Sequence, residues 1–152
     1  MPVFKKTNVK TGQAGSDLEY LQKLKATLME LKLIYERTSG LKIQKDVLEI
    51  CRSTQKILQC LTECGSKIPK AKLFIDYYLP ELAGILNQYV AIKAGCASSE
   101  EASRTAALIE EFVPEARRAF DRILESVAVQ SSASTGAEIE ILFAELKKNK
   151  LL

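Results

Sequence analysis

The sequence predicts an all-α protein, an antiparallel bundle of about four long helices with a short C-terminal helix. Apolar residues recur at intervals of three and four along most of the 152 residues, which is the spacing of one helix face. Alternation with a period of two does not persist beyond a few residues, and the sequence has no Asn-Gly or Asp-Gly hairpin turn. Seven glycines and four prolines are few for a loop-rich or all-β chain.

The first long helix is predicted to begin at Ser16, because Ser16 and Glu19 have the spacing of a capping box. Residues 1–15 are interpreted as a disordered basic leader, and residues 16–152 as a single helical bundle domain. Gly40 favours the end of the first helix. Its apolar stripe is Leu18, Leu21, Leu24, Leu28, Leu31 and Tyr35.

The second helix has the same spacing from Ile43 to Cys64 and is predicted to stop at Gly65. Its connection to the first helix is short, so these two helices are expected to pack as an antiparallel pair with a shallow crossing. No other pair of neighbours can be assigned from the sequence.

The third helix is predicted over roughly residues 67–94, and the fourth from near Ser98, where Glu101 completes a second capping box. Each contains a proline, Pro80 and Pro114, which removes a backbone hydrogen bond and crowds a carbonyl. At Pro80 two outcomes remain open, a kinked helix or two separate helices. A polar loop over 129–136 is expected to precede the short last helix, which contains Ile139, Leu142, Phe143 and Leu146.

The composition excludes several kinds of catalytic site. The chain has no histidine, so it lacks the usual general base and the commonest metal ligand. The sequence also lacks a Cys-x5-Arg phosphate loop, an Asp-x-Asp nucleophile motif and a Gly-rich loop ending in Gly-Lys-Ser/Thr. We therefore expect no cofactor and no metal.

The four cysteines, Cys51, Cys60, Cys64 and Cys96, are expected to be reduced in a cytosolic chain. Cys60 and Cys64 lie one helical turn apart and could begin a metal site. Cys51 lies about 180° around the helix from Cys60 and does not extend such a site. Structural, buried thiols are the preferred interpretation.

The partner expectations rest on charge and hydropathy. No apolar run approaches the roughly 20 residues of a membrane span, and no signal peptide is visible, which indicates a cytoplasmic protein. Lys5, Lys6 and Lys10 in the leader allow a weak contact with an anionic membrane, so membrane association stays open. Nucleic acid is not an expected partner, because the net charge is only +3 and lysines alternate with glutamates.

The stretch FIDYYLPELAGILNQY, residues 74–89, combines helical spacing with one acid and one proline. Its signature residues are Phe74, Asp76, Tyr77, Tyr78, Leu79, Pro80 and Tyr89. The stretch resembles the XpaC-like family, which is named for hydrolysis of 5-bromo-4-chloroindolyl phosphate. The C-terminal run AEIEILFAELKKNKLL is similar to the same family, and the resemblance covers about residue 16 to the end. It implies an intracellular bacterial protein in a setting of toxic-anion (tellurite) resistance or envelope stress.

Two functional hypotheses follow. The first is a non-enzymatic helical module that binds a protein partner or associates with itself. The second is the activity that the family name implies, a phosphatase using Asp76 with Tyr77 or Tyr78. The phosphatase hypothesis predicts that Asp76 is exposed in a concave pocket near Lys70 or Lys72. Burial of Asp76 against tyrosine hydroxyls would remove its best catalytic candidate.

Overall fold

The computed structural model describes residues 2–96 and 98–129, together with Ala144 and Lys148. This part of the chain is helical and contains no strand, which confirms the all-α class. The helices are α1 (Pro2–Arg37), α2 (Gln44–Glu63), α3 (Ile68–Leu73), α4 (Leu79–Lys93) and α5 (Glu100–Val129). A 3₁₀ turn (Gly65–Lys67) precedes α3, and a π-helical segment (Phe74–Tyr78) joins α3 to α4. The predicted loop over 129–136 and the short last helix lie almost entirely outside the described residues.

The described residues form a bundle of four helical rods, because α3, the π-segment and α4 follow one path. α1 and α5 each pack against both α2 and the α3–α4 rod. The short connections make consecutive rods antiparallel, and they include Gly40 and Gly95, whose φ angles of 78° and 89° favour glycine. The predicted antiparallel pairing of the first two helices is thus confirmed, while α2 with α5 and α1 with α4 run parallel.

The core consists of apolar side chains from all four rods. Most members of the predicted stripes are buried, including Leu24, Leu28 and Leu31 of α1. Leu18 was predicted to belong to the same stripe, but it is 54% exposed. At 3.6 residues per turn Leu18 lies about 120° around the helix from Leu24, so it points away from the bundle.

Two predicted helix starts differ from the structure. α1 begins at Pro2 rather than Ser16, so residues 2–15 have helical backbone where a disordered leader was predicted. A capping box marks a helix start only when the preceding residues are not helical. At α5 the capping residue is Ser99 rather than Ser98, since the Ser99 hydroxyl accepts a hydrogen bond of 3.0 Å from the Ala102 N–H.

The predicted irregularity at Pro114 does not interrupt the fourth rod, because α5 runs through that residue to Val129. Within the described residues, no helix is both long and apolar enough to cross a membrane.

Candidate functional site

The signature stretch forms the junction between α3 and α4. Here the helix widens into a π-turn, in which the N–H of Leu79 donates to the carbonyl of Phe74, five residues earlier. Pro80 follows in the first turn of α4, where its missing N–H costs little. We attribute the π-turn to Pro80, because a wider turn gives the pyrrolidine ring room beside the Asp76 carbonyl. Of the two predicted outcomes, two separate helices are therefore ruled out, because the helical path continues through Pro80 by means of one π-segment.

Most signature residues belong to the core. Phe74 is 3% exposed, Tyr78 4%, and Leu79 and Tyr89 are fully buried. The ring of Phe74 meets Phe120 of α5 edge to face, with centroids 5.0 Å apart, which is a favourable arrangement for aromatic rings. The signature is thus chiefly a packing device that fixes α4 against α5.

Three signature residues reach the surface of the bundle: Asp76 is exposed, and Tyr77 and Pro80 are half-buried. Tyr77 is half-buried, and its ring centroid lies 5.4 Å from that of Tyr78. The Asp76 carboxylate pairs with the Lys23 ammonium of α1 at 3.0 Å, and the two side chains are 43% and 48% exposed. Asp76 is therefore not buried at the bend, and its ion-pair partner is a lysine that the sequence did not single out.

A polar cavity of about 230 Å³ opens beside this ion pair. Asp76, Lys23, Glu19, Tyr20 and Ser16 line it. Lys72, one of the two basic residues expected near Asp76, places its ammonium 5.4 Å from the centroid of the Tyr20 ring. Lys70 is exposed on α3.

The charges of this cavity do not suit a phosphoester. Two carboxylates, Asp76 and Glu19, line the cavity together with one ammonium, Lys23. Even with the Lys72 ammonium over the Tyr20 ring, the cavity has no excess of positive charge to hold a phosphate. Phosphoryl transfer needs concentrated positive charge where negative charge develops. The structure thus brings Asp76 to a concave surface, as the phosphatase hypothesis requires, without the excess of positive charge that this chemistry needs.

A second polar cluster lies at the other end of α4, where the sequence indicated only packing. The Tyr89 hydroxyl donates a hydrogen bond of 2.6 Å to Oε2 of Glu110. The Lys93 ammonium lies 3.5 Å from the same oxygen. A cavity of about 310 Å³ adjoins the cluster, with Lys93, Glu110, Ser98 and Ser103 in its lining.

The cluster shifts the ionisation of both partners. The hydrogen bond from Tyr89 lowers the pKa of Glu110, burial opposes this, and the charge of Lys93 adds to the lowering. The pKa of Tyr89 is raised, first by burial and then by its hydrogen bond to the Glu110 carboxylate. The sequence alone did not single out Glu110. One signal pointed to it: Tyr89 continues the apolar stripe of α4, and a buried tyrosine hydroxyl usually has a partner.

The cysteines all have free thiols. Cys51 is buried, and burial raises its pKa to about 11, so it is a poor nucleophile. Cys60 and Cys64 are half-buried and Cys96 is exposed, so the prediction of buried thiols holds for Cys51. Across residues 2–96 and 98–129, no three acidic or cysteine side chains come together as a metal site.

Comparison of the chain with protein-family models, with curated proteins and with solved structures gave no match. The assignment to a family therefore stays a proposal that rests on the signature residues.

Proposed function

We propose that this chain is a non-enzymatic helical module that acts by binding a protein partner or a second copy of itself. One observation carries the proposal. The residues of the signature stretch are used mainly to pack the core, while large apolar side chains remain on the outside of the bundle. Leu18, Met29 and Leu33 of α1 and Leu73 of α3 are each more than half exposed. The three on α1 lie on one face of that helix, and exposed apolar side chains that share one surface are typical of interaction sites.

The chemistry of the surface supports binding over catalysis. Asp76, the best catalytic candidate, is engaged by Lys23 in a cavity without an excess of positive charge. Tyr89 and Glu110 are engaged with each other. Activation of a nucleophile would need a neighbouring base or cation that is not already paired.

The biological setting follows from the resemblance. As an XpaC-like protein, the chain would act in a bacterial cell under toxic-anion or envelope stress. An activity named for a coloured substrate can arise indirectly, when a protein changes the expression or export of another enzyme. Hydrolysis of 5-bromo-4-chloroindolyl phosphate by the chain itself is the alternative function, and the exposed position of Asp76 beside a cavity is the observation that favours it.

The experiment is an assay of bromochloroindolyl phosphate hydrolysis by the purified chain, with and without divalent metals. Asp76→Ala tests the candidate residue, and Glu115→Ala is a matched control that removes a carboxylate from an exposed ion pair on α5. We expect no turnover above background in any sample. Turnover that survives purification, persists in the Glu115 variant and collapses in the Asp76 variant would establish the hydrolase and overturn the proposal.

A further inference from the structure

We infer that the outer face of α1 is a self-association surface, on which a second copy of this chain docks with the two α1 helices parallel. The inference deepens the proposed function, on which it rests, by naming the partner and the surface. It concerns the outer face of α1 between Leu18 and Leu33, whereas Lys23 meets Asp76 of the π-segment at the edge of that face nearer α4.

The surface is a largely apolar stripe whose large side chains are exposed in the part of the chain that the structure describes. Leu18 is 54% exposed, Met29 57% and Leu33 55%, and the positions between them on the same line, Gln22 and Ala26, are exposed as well. At 3.6 residues per turn these five positions fall within an arc of about 80°. We call them the outer stripe.

The outer stripe lies on the side of α1 opposite to the core. Leu33 is about 180° around the helix from Leu24, which is fully buried. The neighbouring rods α2 and α4 therefore approach α1 from the core side, and no other described rod covers the stripe. The stripe ends after Leu33, where the charged Glu36 and Arg37 follow.

The charges along its edges select a second copy as the partner. Lys25 and Lys32 lie along the edge nearer α2, and Glu19 and Glu30 along the edge nearer α4, all four exposed. When two such helices pair in parallel about a two-fold axis, the lysine edge of each faces the glutamate edge of the other. Antiparallel pairing would set lysines against lysines and glutamates against glutamates. Opposite charges beside an apolar seam stabilise helix pairs, and like charges oppose them.

The existing contacts of the edge residues are compatible with this arrangement. Lys23 also lies on the glutamate side, but it is already paired with Asp76 at 3.0 Å. Glu30 accepts a hydrogen bond of 3.1 Å from the Asn87 side chain. This neutral donor holds the Glu30 carboxylate in place without pairing it with a positive charge. The interface brings together one apolar seam and two complementary edges.

Sedimentation equilibrium of the full chain, over a wide concentration range, tests the inference. We expect wild type to reach twice the 16.9 kDa of one chain. Met29→Glu and Leu33→Glu should each weaken dimerisation roughly tenfold or more, because they place a charge in the apolar seam. Leu73→Glu is the matched control: Leu73 is 58% exposed but lies on α3, so its variant should dimerise as wild type does.

A charge exchange tests the parallel direction. Lys25→Glu and Glu30→Lys should each weaken dimerisation, because each sets like charges opposite one another across the seam. The double variant should dimerise as wild type does, because it restores opposite charges with the signs exchanged. A wild type that is monomeric throughout, or a Leu73→Glu variant that dissociates as far as Met29→Glu does, would overturn the inference. Tighter dimerisation in Lys25→Glu would overturn the parallel arrangement.

The result separates this inference from the proposed function. A monomeric chain without hydrolase turnover overturns the dimer and leaves the partner-binding module standing. A dimeric chain with turnover that depends on Asp76 overturns the non-enzymatic function and leaves the dimer standing.

Discussion

Replacement of Tyr89 by phenylalanine should destabilise the fold and make its stability depend less on pH. The change keeps the buried ring and removes only the hydroxyl that donates to Glu110 at 2.6 Å. A hydrogen bond to a charged group contributes about 1.5–3 kcal/mol. Glu110 keeps 18% of its side-chain surface and its contact with Lys93, so we expect the low end, about 1–2 kcal/mol of unfolding free energy at neutral pH. In a chain of this length that lowers Tm by roughly 2–8 °C.

The sign of the pH dependence follows from the pKa shift of Glu110. Its pKa in the folded state lies below the ordinary value of 4.5. Its contribution to stability is therefore fully present above pH 4.5 and is lost as the pH falls through the folded pKa. Tyr89→Phe removes the main cause of that shift, so the unfolding free energies of wild type and variant should converge in acid.

Urea denaturation followed by circular dichroism, at neutral pH and at several acid pH values, measures both effects. Glu110→Gln is the companion variant, because it keeps an acceptor for the Tyr89 hydroxyl but cannot titrate. Its unfolding free energy should lack the decrease in acid that protonation of Glu110 causes in wild type. Equal stability of wild type and Tyr89→Phe at neutral pH, or a difference that stays constant into acid, would refute the reasoning.

Three further predictions concern the signature stretch and the thiols. Asp76→Ala should cost less than about 1 kcal/mol in urea unfolding, because its ion pair with Lys23 is nearly half exposed on both sides; a larger loss would mean that the pair holds the π-segment in place. Phe74→Ala should cost about 3–5 kcal/mol by the same measurement, since it leaves a cavity against Phe120, and a loss below 1 kcal/mol would contradict the core position of this ring. Near pH 8, a thiol reagent should label Cys96 rapidly and Cys51 only after unfolding, because Cys51 is buried and its pKa is about 11; prompt native labelling of Cys51, located by peptide mapping, would be the contrary result.

The fold class could be predicted because most of the chain repeats one simple pattern. Spacing of three and four identified the buried faces of the helices, including Leu24 and Leu28 in α1 and Ile50 and Ile57 in α2. Helix starts were predicted less well, because capping motifs are local preferences. Ser16 and Glu19 match a capping box, yet they lie inside a helix that begins at Pro2.

The candidate site was harder to predict, because it depends on contacts between residues far apart in the sequence. Lys23 and Asp76 are 53 residues apart, and Tyr89 and Glu110 are 21 apart. Spacing along one helix says which face a residue occupies, but it does not say which residue of another helix lies opposite. Leu18 shows the same limit within one helix. Its spacing matches the apolar stripe, but it lies on a different side of α1 from the buried residues and is exposed.

The π-segment shows how tertiary packing resolves a local conflict. Pro80 opposes a regular helix, while Phe74, Tyr78 and Leu79 around it are buried. One π-turn keeps these side chains in the core and accommodates the proline. The sequence contained both requirements, but only the folded chain shows how they are reconciled.

The most direct test of the central claim combines mass and activity in one experiment. The purified chain is separated by size-exclusion chromatography with light scattering, and every fraction is assayed for bromochloroindolyl phosphate hydrolysis. For a non-enzymatic, self-associating module we expect a protein peak at twice 16.9 kDa, with no turnover that follows it. Turnover that tracks the protein peak in proportion to its absorbance, and is lost in Asp76→Ala, would contradict the account.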